Sequence, residues 1–181
     1  MKWPIFLILS ACPALGDTCP AAPDHSAALG ALILATQQAP NEMLARQSAV
    51  QMWAYWADAP NDHAQILLDE GMDRLRSYDF DGALIALDAL VDYCPNYAEG
   101  YNQRAYVNFL RQDYAAALPD LDRAVDLSPQ HVAAIAGQAL TFVELDRKAE
   151  AALALRAALR LNPWLSERRL LPVLEQNEDE L

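Results

Sequence analysis

The residues best suited to acid–base or metal chemistry are three histidines and the carboxylates near them. His25, His63 and His131 lie far apart in the chain, and Asp58 and Asp62 precede the second of them. Asp58, Asp62 and His63 could lie near one another, but they lack the ligand spacing of a structural zinc site, so a solvated turn explains them better. The sequence also contains no Gly-rich phosphate loop, no Gly-x-Ser-x-Gly and no His-Glu-x-x-His. We therefore predict no catalytic residue, no metal and no cofactor, and we expect that the chain is not an enzyme.

Three cysteines, Cys12, Cys19 and Cys94, are the other candidates for chemistry. Redox catalysis is disfavoured because no Cys-x-x-Cys spacing occurs and no obvious basic neighbour would activate either of the last two thiols. Once a leader containing Cys12 is removed, Cys19 and Cys94 are an even pair in an exported chain, which favours a structural disulfide. Such a bond would close a long loop and stabilise the fold by about 4 kcal/mol in the chain-entropy model.

The first sixteen residues are typical of a secretory signal peptide. Lys2 supplies a positive start, residues 5–9 form an apolar run too short to span a bilayer, and residues 14–16 are a small-x-small exit. We predict cleavage after Gly16 and a periplasmic or secreted protein. A second interpretation stays open, because Leu9-Ser10-Ala11-Cys12 resembles a bacterial lipoprotein box in which the cysteine is acylated. Only in that case do we expect contact with a membrane.

The charge of the chain is strongly acidic, with a formal net value of −12. Nucleic acid is disfavoured as a partner because phosphates require a basic face, and anionic lipid surfaces are disfavoured for the same reason. Part of the charge lies in residues 175–181, which show no apolar periodicity. This segment is predicted to be a solvated, disordered tail.

A period of 34 residues organises the middle of the chain. Pro95, Pro129 and Pro163 stand at this interval, and stacking the stretches 64–97, 98–131 and 132–165 brings small and apolar residues into shared columns. The columns are Leu67, Tyr101 and Ile135; Gly71, Ala105 and Ala139; Ala83, Ala117 and Ala151; and Leu87, Leu121 and Leu155. A fixed period of this length predicts a helical repeat array. The pattern resembles the tetratricopeptide repeat (TPR) family, whose unit is two antiparallel helices with small residues at their crossing and a closing proline.

The resemblance implies an all-α fold, a right-handed superhelical solenoid of helix-turn-helix repeats over 64–97, 98–131 and 132–165. Within residues 17–63, apolar residues at helical spacing predict a hairpin over 24–58, which we interpret as a degenerate opening repeat packed on the first clear one. We expect Asp79, Asp113 and, in the third repeat, Asp146 to cap the second helices. His63 and His131 fall at corresponding turns between repeats. A short closing helix is expected within 166–174, with its turns ending before Pro172.

Binding on the concave side, lined by the first helix of each repeat, is what the resemblance implies for function. Positions i, i+4 and i+7 share one helix face. The predicted groove residues on that face are Leu68, Met72, Leu75, Asn102, Tyr106, Phe109, Leu140 and Val143, with Ala136 opening the third trio. The expected ligand is an apolar protein or peptide segment, and no small-molecule substrate is predicted. An alternative stays open, in which the chain's own N-terminal segment or the turn around Trp164 covers this stripe.

One use of the family is disfavoured by the residues on this face. The clamp that binds a chaperone's C-terminal carboxylate needs lysine, arginine and asparagine, and here only Asn102 is present, with Gln103 and Arg76 nearby. A basic or neutral apolar ligand suits the acidic protein better. We predict a non-enzymatic interaction scaffold of the bacterial envelope. The alternative is a membrane-anchored lipoprotein, acylated at Cys12, with a structural role in envelope assembly.

Overall fold

Residues 18–176, the part of the chain that the computed structural model describes, form four antiparallel helix pairs and a closing segment. The pairs are α1 (Ser26–Gln37) with α2 (Glu42–Trp56), α3 (Asp62–Arg76) with α4 (Phe80–Tyr93), α5 (Ala98–Leu110) with α6 (Tyr114–Leu127), and α7 (Val132–Glu144) with α8 (Lys148–Leu161). A 3₁₀ turn, Ser166–Leu170, leads into α9 (Leu171–Glu175). No strand occurs within these residues. The predicted leader, Cys12, the cleavage point and the tail from residue 177 lie outside the described residues.

The second helices of the first two repeats begin at aspartate caps, as predicted. The carboxylates of Asp79 and Asp113 accept hydrogen bonds from the backbone N–H groups of Gly82 and Ala116, both at 3.1 Å. The expectation for Asp146 was wrong, because α8 begins after Arg147 and has no side-chain cap.

Asp146 instead adopts a left-handed backbone conformation in the turn between the two helices of its repeat. Its φ is 56°, and Tyr78 and Gln112, at the same place in the two earlier repeats, have φ values of 60° and 63°. Residues other than glycine rarely adopt this left-handed backbone conformation. Its recurrence at one position shows that the turn, and not the residue type, dictates the backbone there.

The core of each repeat forms where small residues let its two helices approach. A Cβ atom added at Gly71 would lie 2.7 Å from Cγ of Leu87. Ala105 and Ala139 occupy the same position in the later repeats and are also buried, against Leu121 and Leu155 respectively. The columns read from the sequence are therefore the helix crossings of the fold.

The α1–α2 hairpin forms, but it does not lie where an opening repeat would. Within residues 18–176, α4 packs on α5 and α6 on α7, whereas α2 makes no comparable packing along α3, and α1 contacts α8 instead. The buried side chains of the hairpin, Leu29, Ile33, Met52 and Trp56, pack with Val132 and with parts of α8 and the turn after it. The physical reason is that this apolar side finds its complement at the start of α7 and the end of α8.

Polar contacts hold the far end of the hairpin on the third repeat. The side-chain amide of Gln37 donates to the carbonyl oxygen of Arg160 at 2.7 Å, and Arg168 donates to Glu42 at 3.2 Å. Burial of each large hairpin side chain contributes about 1.5–3 kcal/mol of transfer free energy. The hairpin is therefore part of the core of the molecule.

The segment entering the hairpin is joined to the first repeat by a disulfide between Cys19 and Cys94, as expected. Their Cα atoms are 5.1 Å apart, and Cys94 is the residue that follows the last turn of α4. The bond thus ties the segment before α1 to the first repeat, and the short connection to α3 ties the end of α2 to the same repeat.

The closing segment runs through Pro172, where its helical turns were expected to end. Pro172 lies in the first turn of α9, where a proline loses no helical hydrogen bond. Leu174 is buried on Ala152 and Leu155. The segment therefore covers the end of the third repeat, which would otherwise be exposed. Within residues 18–176, no helix combines the length and the apolar content that crossing a bilayer requires.

Leu87→Ala tests the crossing that these small residues permit. Leu87 is fully buried against Gly71, so we expect the free energy of unfolding to fall by about 2–5 kcal/mol, measured by urea denaturation followed by circular dichroism. Ile85→Ala, on the exposed side of the same helix, should change it by less than about 0.5 kcal/mol. Equal losses in the two variants would contradict the assigned crossing.

Candidate binding groove

A groove of about 740 Å³ opens on the concave face, which is formed by the first helices α3, α5 and α7. Trp53 of α2 lines one part of it, and Leu165 and Glu167 line another. The floor is therefore made by the repeats, while the walls come from the hairpin and from the closing segment.

Six of the predicted residues line this groove. They are Met72, Leu75, Asn102, Tyr106, Phe109 and Leu140, and Ala136 lies there as well. Tyr106 is the most open of the six, with 50% of its surface exposed. Phe109 is only partly exposed, because it also packs against the core of the second repeat.

Two predicted residues do not line the groove. Leu68 is fully buried with Leu87 and Leu90, because the segment that enters α3, which includes Ala59, packs over the same cluster. Val143 packs instead on the cluster between α7, α8 and the closing segment. Both residues have the right helical spacing, but neighbouring segments cover the two ends of the face.

The sequence pattern missed Trp53, which belongs to a helix outside the three clear repeats. Its ring meets Trp56 edge-on at a centroid distance of 5.6 Å, yet 39% of Trp53 is exposed and Trp56 is buried. An opening repeat packed on the first clear one would bury both rings of the pair against that repeat. A tryptophan pair can be recognised in the sequence, but which of its rings is buried depends on where the hairpin packs.

Charge is nearly absent from the lining of the groove. Helices α5 and α7 contribute only uncharged side chains, and the charged residues among the described lining are Arg76 and Glu167. Arg76 is already paired with Asp73 on its own helix. The groove is consequently apolar with a small polar floor.

That polar floor is held from below by a buried carboxylate. Asn102 and Gln103 donate their side-chain amide N–H groups to the two oxygens of Glu99, at 3.1 and 2.5 Å. Glu99 has 1% of its surface exposed. Each of these two amides thus directs one N–H to a partner inside the chain.

A histidine supplies the third partner of the carboxylate. Nε2 of His131 lies 2.7 Å from Glu99 Oε2, and the backbone N–H of Ala134 donates to Nδ1 at 3.2 Å. Since Nδ1 accepts, the ring carries its proton on Nε2 and donates it to Glu99. His131, at the turn before α7, is therefore a buried residue: it is 1% exposed, and its side chain caps α7.

The hairpin docks on this same network. Trp56 stacks on His131 with centroids 4.3 Å apart and planes 15° from parallel. The hydroxyl of Tyr97 donates to the carbonyl oxygen of Trp56 at 2.8 Å. Burial, and then the charge of Glu99, raise the pKa of Tyr97, so its hydroxyl keeps the proton that makes this bond.

The remaining histidines do not assemble a chemical site. His25 pairs with Asp58 at 2.6 Å, which joins the two ends of the hairpin, and His63 packs against the ring of Tyr93 at 4.6 Å. Among residues 18–176, no group of three or more histidine, cysteine or acidic side chains is placed to hold a metal ion.

No family model matches the chain. It is 42% identical over 67 residues to a tetratricopeptide repeat protein 36 homolog of Nematostella vectensis, which covers 37% of each chain. It is 29% identical over 87 residues to a TPR repeat-containing protein of Rhizobium etli, which covers 46% of this chain and 41% of that one. The chain thus spans about two fifths of the length of these relatives.

Solved structures match over longer stretches. The first TPR domain of Spaghetti (RPAP3), bound to the HSP90 peptide SRMEEVD, has a TM-score of 0.62 at 22% identity over 65% of this chain and 94% of that one. The chain has the fold of a TPR solenoid. The MamA RS-1 ArsTM double mutant matches more of the chain, 88% of each, with a TM-score of 0.60 at 17% identity.

Within this TPR solenoid, α3–α4, α5–α6 and α7–α8 are the three repeats, and the groove lies on their first helices. The names of the two relatives support the family resemblance drawn from the sequence columns.

Glu99→Gln tests the network under the groove. The new amide would face donors where the carboxylate accepted three hydrogen bonds, so we expect a loss of about 1.5–3 kcal/mol in the free energy of unfolding. The near-ultraviolet dichroism of Trp56, stacked on His131, should change as well. Glu70→Gln removes the same charge from an exposed pair with Arg74 and should have little effect. Equal stability of the two variants would refute a structural role for the buried carboxylate.

Proposed function

We propose that the chain is a non-enzymatic interaction module that binds an apolar segment of a partner protein in this groove. The observation that carries the proposal is the uncovered part of the concave face, where Tyr106 and Leu110 remain exposed beside Trp53. Grouped apolar side chains in a concave surface are typical of binding sites. The hairpin covers the face near the start of α7, and the groove is what it leaves open.

The size of the groove supports a short segment as the ligand. One turn of an α-helix with its side chains, about 10–12 Å wide and 5.4 Å long, fills roughly 420–610 Å³. The groove, at about 740 Å³, has room for a segment of this size. A few anchoring side chains would therefore carry the affinity.

The charges of the chain favour a basic or neutral partner segment. The net charge of −12 repels an acidic peptide, and Arg76, the cation in the described lining, is paired with Asp73. The Spaghetti domain is described with an HSP90 peptide, and a yeast Sti1 domain with pHsp70. In this chain α5 and α7 contribute only uncharged side chains to the groove lining, so we do not extend that ligand class to it.

Peptide selection tests both the site and the chemistry of its ligand. Twelve-residue peptides displayed on phage and selected on the full chain should be apolar with an excess of lysine and arginine. Tyr106→Ala should weaken the best synthetic peptide about tenfold or more in calorimetry, because the ring is an exposed aromatic anchor of the groove.

Ile66→Ala is the matched control for this measurement. Ile66 is also an exposed apolar residue on a first helix, but it lies outside the groove lining. The affinity should not change in this variant. Enrichment of acidic peptides, or equal binding to the wild type and Tyr106→Ala, would refute the proposal.

We place this module in the bacterial envelope, on the leader predicted at residues 1–16. The Cys19–Cys94 bond supports an oxidising compartment. The alternative, a lipoprotein acylated at Cys12, differs in the first residue of the mature chain and in its mass.

Intact-mass spectrometry of the protein purified from a producing bacterium distinguishes the two. We expect the mass of a chain that begins at Asp17, with the two cysteines oxidised. A chain that begins at Cys12 and is heavier by hundreds of daltons would establish the lipoprotein instead. The mass of an unprocessed chain from Met1 would contradict both.

A further inference from the structure

We propose that the α1–α2 hairpin is a permanent wall of the binding groove, with Trp53 as its contact residue and the Cys19–Cys94 bond as its anchor. The proposal rests on the function proposed above. It adds that the binding surface is shared between the repeats and a segment outside them. The occupant is the same basic or neutral apolar segment that the net charge of −12 favours.

The first step of the argument is that the hairpin is docked as a core element. Leu29, Ile33 and Met52 are buried with Val132, and Trp56 stacks on His131. A movable lid would rest on exposed contacts that separate easily, because opening segments are drawn from the weakly packed parts of a fold. The contacts of the hairpin are instead buried in a hydrophobic cluster.

Both ends of the hairpin are also tied. At one end, the disulfide holds the entry to α1 and His25 pairs with Asp58 across the base. At the other end, Gln37 and Glu42 bond to the third repeat and the closing segment. A hairpin held at both ends keeps α2 at a fixed distance from the repeat helices.

Trp53 is the side chain that this arrangement leaves in the groove. Its neighbour Trp56 performs the docking, since Trp56 is buried on His131 whereas 39% of Trp53 stays exposed. A large aromatic ring on a rigid helix has little conformational freedom to lose on binding, which is the usual character of an anchor residue. The groove is therefore lined by aromatic rings from two separate parts of the chain, Trp53 on the hairpin and Tyr106 on the second repeat.

The test uses the best phage-selected peptide and the full-length mature chain. Trp53→Ala should lower its affinity about tenfold or more. Val50→Ala, an exposed apolar residue on the same helix but outside the groove, should leave it unchanged. Unchanged binding to Trp53→Ala would overturn the proposal. If Tyr106→Ala still weakens the peptide in that case, the proposed function stands; if neither variant does, both proposals fail.

Removing the Cys19–Cys94 bond tests whether the hairpin is a fixed wall of the groove or a lid that moves away from it. The double variant Cys19→Ser with Cys94→Ala should bind the peptide more weakly, because the entry to α1 is then no longer tied to the first repeat and only packing and polar contacts hold the hairpin. Tighter binding would show that the hairpin competes with the partner, and would overturn the proposal. If the double variant loses its helical dichroism, the comparison of Trp53→Ala with Val50→Ala decides alone.

Discussion

The buried carboxylate of Glu99 is the point at which three parts of the molecule meet. It lies in the first turn of α5, where the helix dipole favours a negative charge, and it accepts from two side chains of its own helix. The third donor, His131, belongs to the next repeat and carries the stacked ring of Trp56 on its face. Burying a carboxylate is costly unless its lone pairs are satisfied, so these partners are interdependent.

This interdependence explains why the groove is polar at one point and apolar elsewhere. Asn102 and Gln103 line the groove, and each directs one amide N–H to Glu99. Most of the other lining residues offer the carbon surface of rings and aliphatic chains. The network that joins the second and third repeats therefore also orients the polar side chains of the groove.

A second constraint, the close approach of paired helices, sets the repeat geometry and could be predicted from the sequence. Gly71, Ala105 and Ala139 recur at a fixed interval because each faces a leucine across the same crossing. Caps at Asp79 and Asp113 were equally visible, since a cap depends only on residues within one turn. Local and periodic features of this kind leave a signal in a single sequence.

The placement of the hairpin could not be predicted in the same way. It depends on the contact between Trp56 and His131, which are far apart in the chain, and on a histidine whose burial no local pattern indicates. The same limit explains the groove residues. Met72 and Leu68 share a helix face, but the segment before α3 covers only Leu68. Spacing predicts which residues share a face, and tertiary packing decides which of them remain exposed.

A preformed groove has a thermodynamic consequence for the partner. Each side chain or loop that must be ordered on binding costs about 0.5–1.5 kcal/mol, which subtracts from the affinity. Here the hairpin is already ordered by its own buried core and by the Cys19–Cys94 bond. In the proposed binding mode, the cost of positioning Trp53 is therefore met during folding and does not subtract from the affinity. The interactions that stabilise the opening hairpin therefore also position the residue that is proposed to contact the partner.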